Sequence, residues 1–278
     1  MNIKLIALDL DGTTLNSKGQ LTEKTRKALE TVAGKGVHIV IATGRVYSAL
    51  PEEVTAVRGI EYAITSNGAR VVHLESKETI YSNLIHPESI EFTVDLFSNY
   101  DFMLEAFVKG EAFVDSHIYH NIEKVGLAKK HSDYILRTRK PVDGILNFLR
   151  NNKAEVENIN INFGRQEDKA MMAEVLKTIP DVTITSSFDH NLEIGGRTTS
   201  KADAVLHLCE ILDIHQDHTM AIGDSPNDEA MLRAAGYPVA MANGKESIRA
   251  IARFITGSND EDGVASAIHR LILGLPSL

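Results

Sequence analysis

The chain has 278 residues, 43% of them hydrophobic and 24% charged, with a formal net charge of −9. That length accommodates two domains with real cores, and the acidic balance argues against nucleic acid or an anionic membrane as partner while leaving small phosphorylated ligands open. One cysteine, Cys209, excludes an internal disulfide framework; Asp9 and Asp11 interrupt the first apolar run before signal-peptide length, and no run is long enough to span a membrane, so the expectation is a cytoplasmic protein.

In chain order, Ile3–Leu8 reads as a strand buried on both faces. Thr22 is placed to cap a helix with Thr25, Ala28, Leu29 and Val32 on one side, closed by Gly34 and Gly36. Val37–Ala42 and Tyr62–Thr65 read as further buried strands, ending at Thr43-Gly44-Arg45 and Ser66-Asn67-Gly68. This βαβαβ order predicts a parallel sheet with right-handed crossovers.

From about Leu84 to Ile194 the texture changes. Pro87 opens a helix carrying Ile90, Val94 and Phe97, and amphipathic helices are expected around Val142–Leu149 and Met172–Ile179. Asn158-Ile159-Asn160-Ile161-Asn162-Phe163 alternates strictly, apolar on one face and amide on the other. A half-exposed sheet covered by helices on one side is α+β architecture. The amide face could meet sugar hydroxyls in a cleft or simply meet solvent; alternation does not distinguish the two. From Ser200 the buried pattern returns, with a helix presenting Val205, Leu208, Cys209 and Leu212, a strand Thr219–Ile222, and a short strand near Val239. The expected organisation is a Rossmann-like, doubly wound α/β core of residues 1–84 and 196–278, with an inserted cap over residues 85–195.

Four segments carry candidate chemistry. Asp9 and Asp11 lie two apart at the end of the first strand, where side chains share a direction, and Gly12 lets the chain turn away. Two close carboxylates repel, which separates their roles into nucleophile and acid. Asp9-Leu10-Asp11 alone would pass for a turn; its position and company favour function. Thr43-Gly44 could cap a helix or cradle a phosphate with a hydroxyl and backbone N–H groups. Lys201 at a helix start opposes the helix dipole and calls for a compensating anion. Gly223-Asp224-Ser225-Pro226-Asn227-Asp228 holds more polar groups than a cap needs, which suits Mg2+ bound directly by Asp224 and through water by Asp228, with Asn227 toward a phosphoryl oxygen. Cys209 belongs to an apolar face and reads as core; His117, His120 and His190 lack metal-ligand spacing. Gly195–Lys201 fails the phosphate-loop pattern for want of a second glycine.

With these segments in this order the chain resembles the haloacid dehalogenase superfamily, and within it the Cof-type phosphatases with a large α/β cap. Ser66-Asn67-Gly68-Ala69, Leu192-Glu193-Ile194, Met241-Ala242-Asn243 and Ser258–Val264 add to the match. Ala202, Gly244 and Arg249 depart from the residues usual there. The resemblance implies Asp9 as nucleophile and metal ligand, Asp11 as general acid/base with its carbonyl on the metal, and Leu10, Thr43, Gly44, Lys201 and Asn227 at the phosphoryl group. It implies Asp224 and Asp228 on Mg2+, a small phosphorylated metabolite as partner, and no obligate protein partner. The expected activity is a magnesium-dependent phosphatase acting through an aspartyl-phosphate. A phosphomutase or phosphotransferase using the same intermediate is the alternative; a non-catalytic sensor would need neither Asp9 nor Asp11.

Overall fold

The computed structural model describes residues 2–126 and 128–276. Its strands, in chain order, are β1 (Leu5–Leu8), β2 (His38–Ala42), β3 (Ile60–Thr65), β4 (Arg70–His73), β5 (Glu78–Ser82), β6 (Met103–Val108), β7 (Glu111–Asp115), β8 (Arg139–Val142), β9 (Val156–Asn162), β10 (Val182–Thr185), β11 (Asn191–Gly196), β12 (Thr219–Gly223), β13 (Tyr237–Ala240) and β14 (Phe254–Ile255). They form an 8-stranded sheet, ordered β14-β13-β12-β1-β2-β3-β4-β5, and a 6-stranded sheet, ordered β10-β11-β9-β6-β7-β8. The chain divides into two compact units: residues 1–44, 50–82 and 200–278, and residues 45–49 with 83–199.

The first unit is α/β. Its sheet is parallel from β14 to β3 and turns antiparallel at β4 and β5. The strands at its centre are apolar throughout because both faces are covered. Ile6, Leu8, Ile39, Ile41 and Ile222 pack on one face with Leu29 and Val32 of helix Glu23–Ala33 and with Val264 and Ile268 of helix Gly263–Ile268. Leu5, Ala7, Val40, Ile64 and Ala221 pack on the other with Val205, Leu208 and Cys209 of helix Lys201–Ile211. Thr22 caps the first helix as expected, its side chain accepting from Thr25 N. The antiparallel hairpin of β4 and β5 was not expected from the sequence. Cys209 is buried, and burial pushes its thiol up to about 11, which leaves it inert at neutral pH.

The second unit is a mixed sheet with helices Pro87–Phe97, Ile145–Asn151 and Gln166–Leu176 on its apolar face. Ile90, Val94, Leu149, Met172 and Leu176 meet Leu104, Ala106, Ile159, Ile161 and Ile194 there. The other face corrects the expectation of a half-exposed sheet. Asn158, Asn160 and Asn162 are only 1%, 5% and 3% exposed, so the amide row does not meet solvent. The reason is a polar network: Glu105, opposite Asn160 in register, accepts hydrogen bonds from Asn160 and Asn162 and pairs with Arg139. A helix missed in the sequence, Lys129–Thr138, leads into that arginine at the start of β8. No described helix is long and apolar enough to cross a membrane.

Leu29 is fully buried at the centre of the first unit's larger cluster. Leu29→Ala leaves a cavity there and should cost about 2–5 kcal/mol of stability, measured by urea unfolding.

Candidate active site

Parallel strands deliver their carboxyl ends to one edge of a sheet, and in the first unit that edge collects three of the four motif segments together with the Ser66 turn. Asp9 follows β1, Thr43 follows β2, Ser66 follows β3 and Asp224 follows β12. Backbone bonds fix the junctions: Asp9 N donates to Ile222 O at 3.1 Å, Thr43 N to Ile64 O at 2.9 Å, and Asn67 N to Thr43 O at 3.0 Å. The turn after Asp9 is tight: Thr14 Oγ1 donates to Asp9 O at 2.6 Å. Gly12 sits at φ +83, and a Cβ there would lie 2.6 Å from Asp224 Oδ2. Only glycine satisfies both conditions.

Lys201 is fully buried and reaches two carboxylates at once. Its Nζ lies 2.6 Å from Asp9 Oδ1 and 2.6 Å from Asp228 Oδ1. Ser200 caps the helix that presents it, its side chain accepting from Asp203 N at 3.1 Å. Burial works against the ammonium, but Asp228 and Asp9 together raise its pKa above the ordinary lysine value. The anion that the helix start called for is therefore the protein's own. Asp228 is held by its other oxygen as well: Oδ2 accepts from Asp224 N at 2.9 Å and from Ser225 N at 3.1 Å. Asp224 receives the hydroxyl of Thr13 on Oδ1 at 2.9 Å.

Asp9, Asp224 and Asp228 present ligand oxygens that all lie within 4.8 Å of one another. With Lys201 as the ammonium among them, the group keeps two negative charges in excess when fully ionised. Burial holds the Asp9 carboxyl well above the carboxylate range against the pull of Lys201, and Asp228 and Asp224 add to the rise. Burial, then Asp228, pushes Asp224 up to about 6. Crowded, desolvated carboxylates that resist ionisation are what a hard divalent cation would relieve, and an all-oxygen donor set of this size suits Mg2+. The residues fit the metal.

The remaining sequence candidates fall as follows. Asp11 is partly exposed two residues beyond Asp9, and its carboxylate is not one of the three that cluster. The side chain of Leu10 is in the core, which leaves its backbone to serve a ligand. Thr43 is buried and Gly44 partly exposed, but the helix cap considered for them is absent. A 3-10 turn at Tyr47–Ala49 and a short helix Glu52–Thr55 capped by Pro51 follow instead. Asn227 donates to Asn67 Oδ1 at 2.9 Å and accepts from Ser225 Oγ at 2.7 Å, so its side chain is anchored within the edge. Asn67 is the residue that sequence reasoning undervalued. It stands at φ 57 after Ser66 at φ 50, two non-glycine residues in the left-handed region, and its side chain is 4% exposed. Gly68 closes the segment against helix Lys201–Ile211, where a Cβ would come 2.1 Å from Ser200 O. Strain of this kind is stored at functional sites. Its only sequence signal was the polar turn at a strand end.

Residues 6–268 match the model of the haloacid dehalogenase-like hydrolase family. The chain belongs to that family. Among curated relatives it is 30% identical to the 5-amino-6-(5-phospho-D-ribitylamino)uracil phosphatase YcsE of Bacillus subtilis, over 98% of this chain and 97% of the other. A solved haloacid dehalogenase-like hydrolase from B. subtilis superposes with a TM-score of 0.85 at 28% identity, covering 97% of this chain and all (100%) of that one. The subclass IIB sugar phosphatase BT4131 superposes with a TM-score of 0.82 at 25% identity, covering 96% and 98%. A hydrolase of this family built on an α/β core agrees with the architecture described above.

The raised Asp224 pKa has a testable sign. A carboxyl whose folded pKa exceeds its unfolded value penalises the fold once ionised, and the penalty fades as pH falls through about 6 toward the unfolded value near 4. In metal-free buffer with EDTA, Asp224→Asn should therefore melt above wild type at pH 7.5–8, by ~2–6 °C. That advantage should shrink to nothing near pH ~4, where both states of wild type carry the proton.

Proposed function

We propose that this protein is a magnesium-dependent phosphatase that hydrolyses small phosphate monoesters, sugar phosphates or related metabolites, through an aspartyl-phosphate on Asp9. The observation that carries the reading is the contact of Lys201 with Asp9 at 2.6 Å, beside the buried Asp228 and the half-buried Asp224. A nucleophilic carboxylate needs cations to draw off its proton and to meet an incoming phosphoryl group; Lys201 pulls against the raised Asp9 pKa, and a bound metal would complete both tasks. Relatives support the substrate class: YcsE is named for a phosphorylated ribityl compound and BT4131 for sugar phosphates. The single cysteine supports a cytoplasmic location in this reading.

Asp9, Asp224 and Asp228, with the backbone carbonyl of Asp11, would hold Mg2+, which when bound supplies charge neutralisation for the phosphoryl oxygens. In the first step an Asp9 carboxylate oxygen attacks phosphorus in line with the leaving oxygen. Asp11 gives its proton to that oxygen as the P–O bond breaks, releasing the alcohol. Lys201 offsets the charge spread over the equatorial oxygens, and the Thr43 hydroxyl and Gly44 N–H orient them. Asn227, fixed by Asn67 and Ser225, steers one oxygen of the group. In the second step Asp11 takes a proton from water, whose oxygen attacks the acyl phosphate, freeing phosphate and restoring Asp9.

Phosphate release from a panel of sugar phosphates and other small monoesters tests this, with magnesium and with EDTA. Wild type should turn over at least one ester only with the metal. Asp9→Asn should lower kcat by at least ~10³-fold while the melting curve and circular dichroism stay those of a folded protein. Wild-type turnover in that variant rejects Asp9 as nucleophile. Phosphate transferred to an added alcohol, with none released, makes the enzyme a phosphotransferase.

A further inference from the structure

Met241-Ala242-Asn243 and Ser258–Val264 belong to the family pattern yet take no part in the chemistry of Asp9. Side chains from both stretches converge instead on the turn that carries Asp11. Asn243 Nδ2 donates to Gly12 O at 2.8 Å. Asn243 Oδ1 accepts from Asn259 N at 2.9 Å, and Asn259 Nδ2 donates to Leu15 O at 2.9 Å. Asp260 Oδ1 accepts from Ser17 N at 2.8 Å. The turn is thus gripped from outside at Gly12, Leu15 and Ser17. Inside it, the N–H groups of Thr13, Thr14 and Leu15 all point to Leu10 O, at 3.3, 3.0 and 2.9 Å.

The loop that carries Asn243 is bonded in turn to the Asp224 segment. Met241 N donates to Gly223 O at 3.1 Å and Lys245 N to Asp224 O at 2.9 Å. Gly244 lies so close that a Cβ there would stand 3.2 Å from Asp224 Cα. Asp224 reaches back to the turn, its Oδ1 accepting the Thr13 hydroxyl at 2.9 Å. A ring of bonds therefore closes through Gly12, Asn243, the Asp224 backbone and Thr13. Gly12, at φ +83 directly after Asp11, has no side chain to restrict it and is the softest point of the turn. Its carbonyl is the atom that Asn243 holds. The backbone N–H of Asn259 fixes which end of the Asn243 carboxamide faces Gly12, because an N–H can meet only the oxygen. Stability is a poor reason for such a clasp: Asn243 is exposed, and a hydrogen bond open to water contributes little net. Geometry is a better one. A proton donor must lie within hydrogen-bond reach of the atom it serves, and a misplacement of ~1 Å can cost ~10²-fold in rate.

We propose that Asn243 is a positioning residue for Asp11, holding the Gly12 peptide so that the Asp11 carboxyl meets the leaving oxygen as the P–O bond breaks. Asn259 is its anchor. The inference rests on the phosphatase reading and on Asp11 as its acid.

Leaving groups separate the positioning of an acid from general damage to the site. The ratio kcat/KM reports the steps up to P–O cleavage, and nitrophenolate departs without a proton whereas an alkoxide needs one. In full-length Asn243→Ala with magnesium, kcat/KM for the sugar or alkyl phosphate that wild type hydrolyses fastest should fall at least ~10-fold, mostly in kcat. With p-nitrophenyl phosphate it should stay within about threefold of wild type. The melting temperature should stay within ~3 °C, as suits an exposed bond. Equal losses with both esters overturn the proposal, because Asn243 would then shape the site as a whole. Unchanged kinetics with both overturn it too, since the clasp would be idle in catalysis. Wild type that releases phosphate from no ester rejects the phosphatase reading itself, and this proposal with it.

Discussion

Two carboxylates are buried at one sheet edge with a third half-buried beside them, and a single ammonium makes that possible. Lys201 lies 2.6 Å from both Asp9 and Asp228, and no other described cation pairs with either. Desolvating one carboxylate is costly, and desolvating three side by side adds mutual repulsion to the cost. Much of the surrounding backbone serves to keep this arrangement. The parallel pairing of β1 with β12 sets Asp9 against Asp224, the Ser200 cap starts the lysine's helix, and the Gly12 turn clears room for the Asp224 carboxylate. The excess negative charge that Lys201 leaves behind is what suits the site to a divalent cation.

This explains a division of labour among residues that look alike in sequence. Asp9 and Asp224 follow strands directly and Asp228 closes the short turn after β12, yet their surroundings differ. Asp9 shares the lysine, Asp224 takes a hydroxyl from Thr13, and Asp228 accepts two backbone N–H groups besides the lysine. Asp228 thus resembles a structural strut of the loop as much as a ligand. The same logic runs through Ser66 and Asn67, whose left-handed backbone is retained because Asn67 locks Asn227 and Gly68 abuts the lysine's helix.

Sequence and structure agree best where one physical cause dominates. A strand buried on both faces must be an apolar run, so β1, β2, β3 and β12 were legible to within about two residues, as was the α/β class. Helix Glu23–Ala33 was legible because its cap and its apolar stripe coincide. The hairpin of β4 and β5 was not, since its turn is made by Lys77 at φ 59, a residue type that signals no turn. Helix Lys129–Thr138 was hidden by a thin apolar stripe, with Ile135 alone fully buried among its large aliphatic side chains. Alternation in β9 correctly separated two faces but could not reveal that Glu105 and Arg139, 34 residues apart, would bury the polar one. The motif residues stood out at strand ends. That Lys201 would join Asp9 to Asp228 depends on distances across 192 and 27 residues of chain, which no local pattern encodes.

The interrupted layout of the first unit also orders events during synthesis. The second unit's sheet is complete once β11 has emerged, whereas β1 waits for β12, more than two hundred residues downstream, to fill one of its two flanks. Domains form as units from the amino-terminal side while the ribosome works, and long-range parallel pairings come late. Until Thr219–Gly223 leaves the exit tunnel, β1 presents an unpaired apolar edge and Asp9 has neither its lysine nor its companion carboxylates seated. The nascent chain thus carries Asp9 unassembled for most of translation, and the carboxylate cluster closes only on the arrival of its last third.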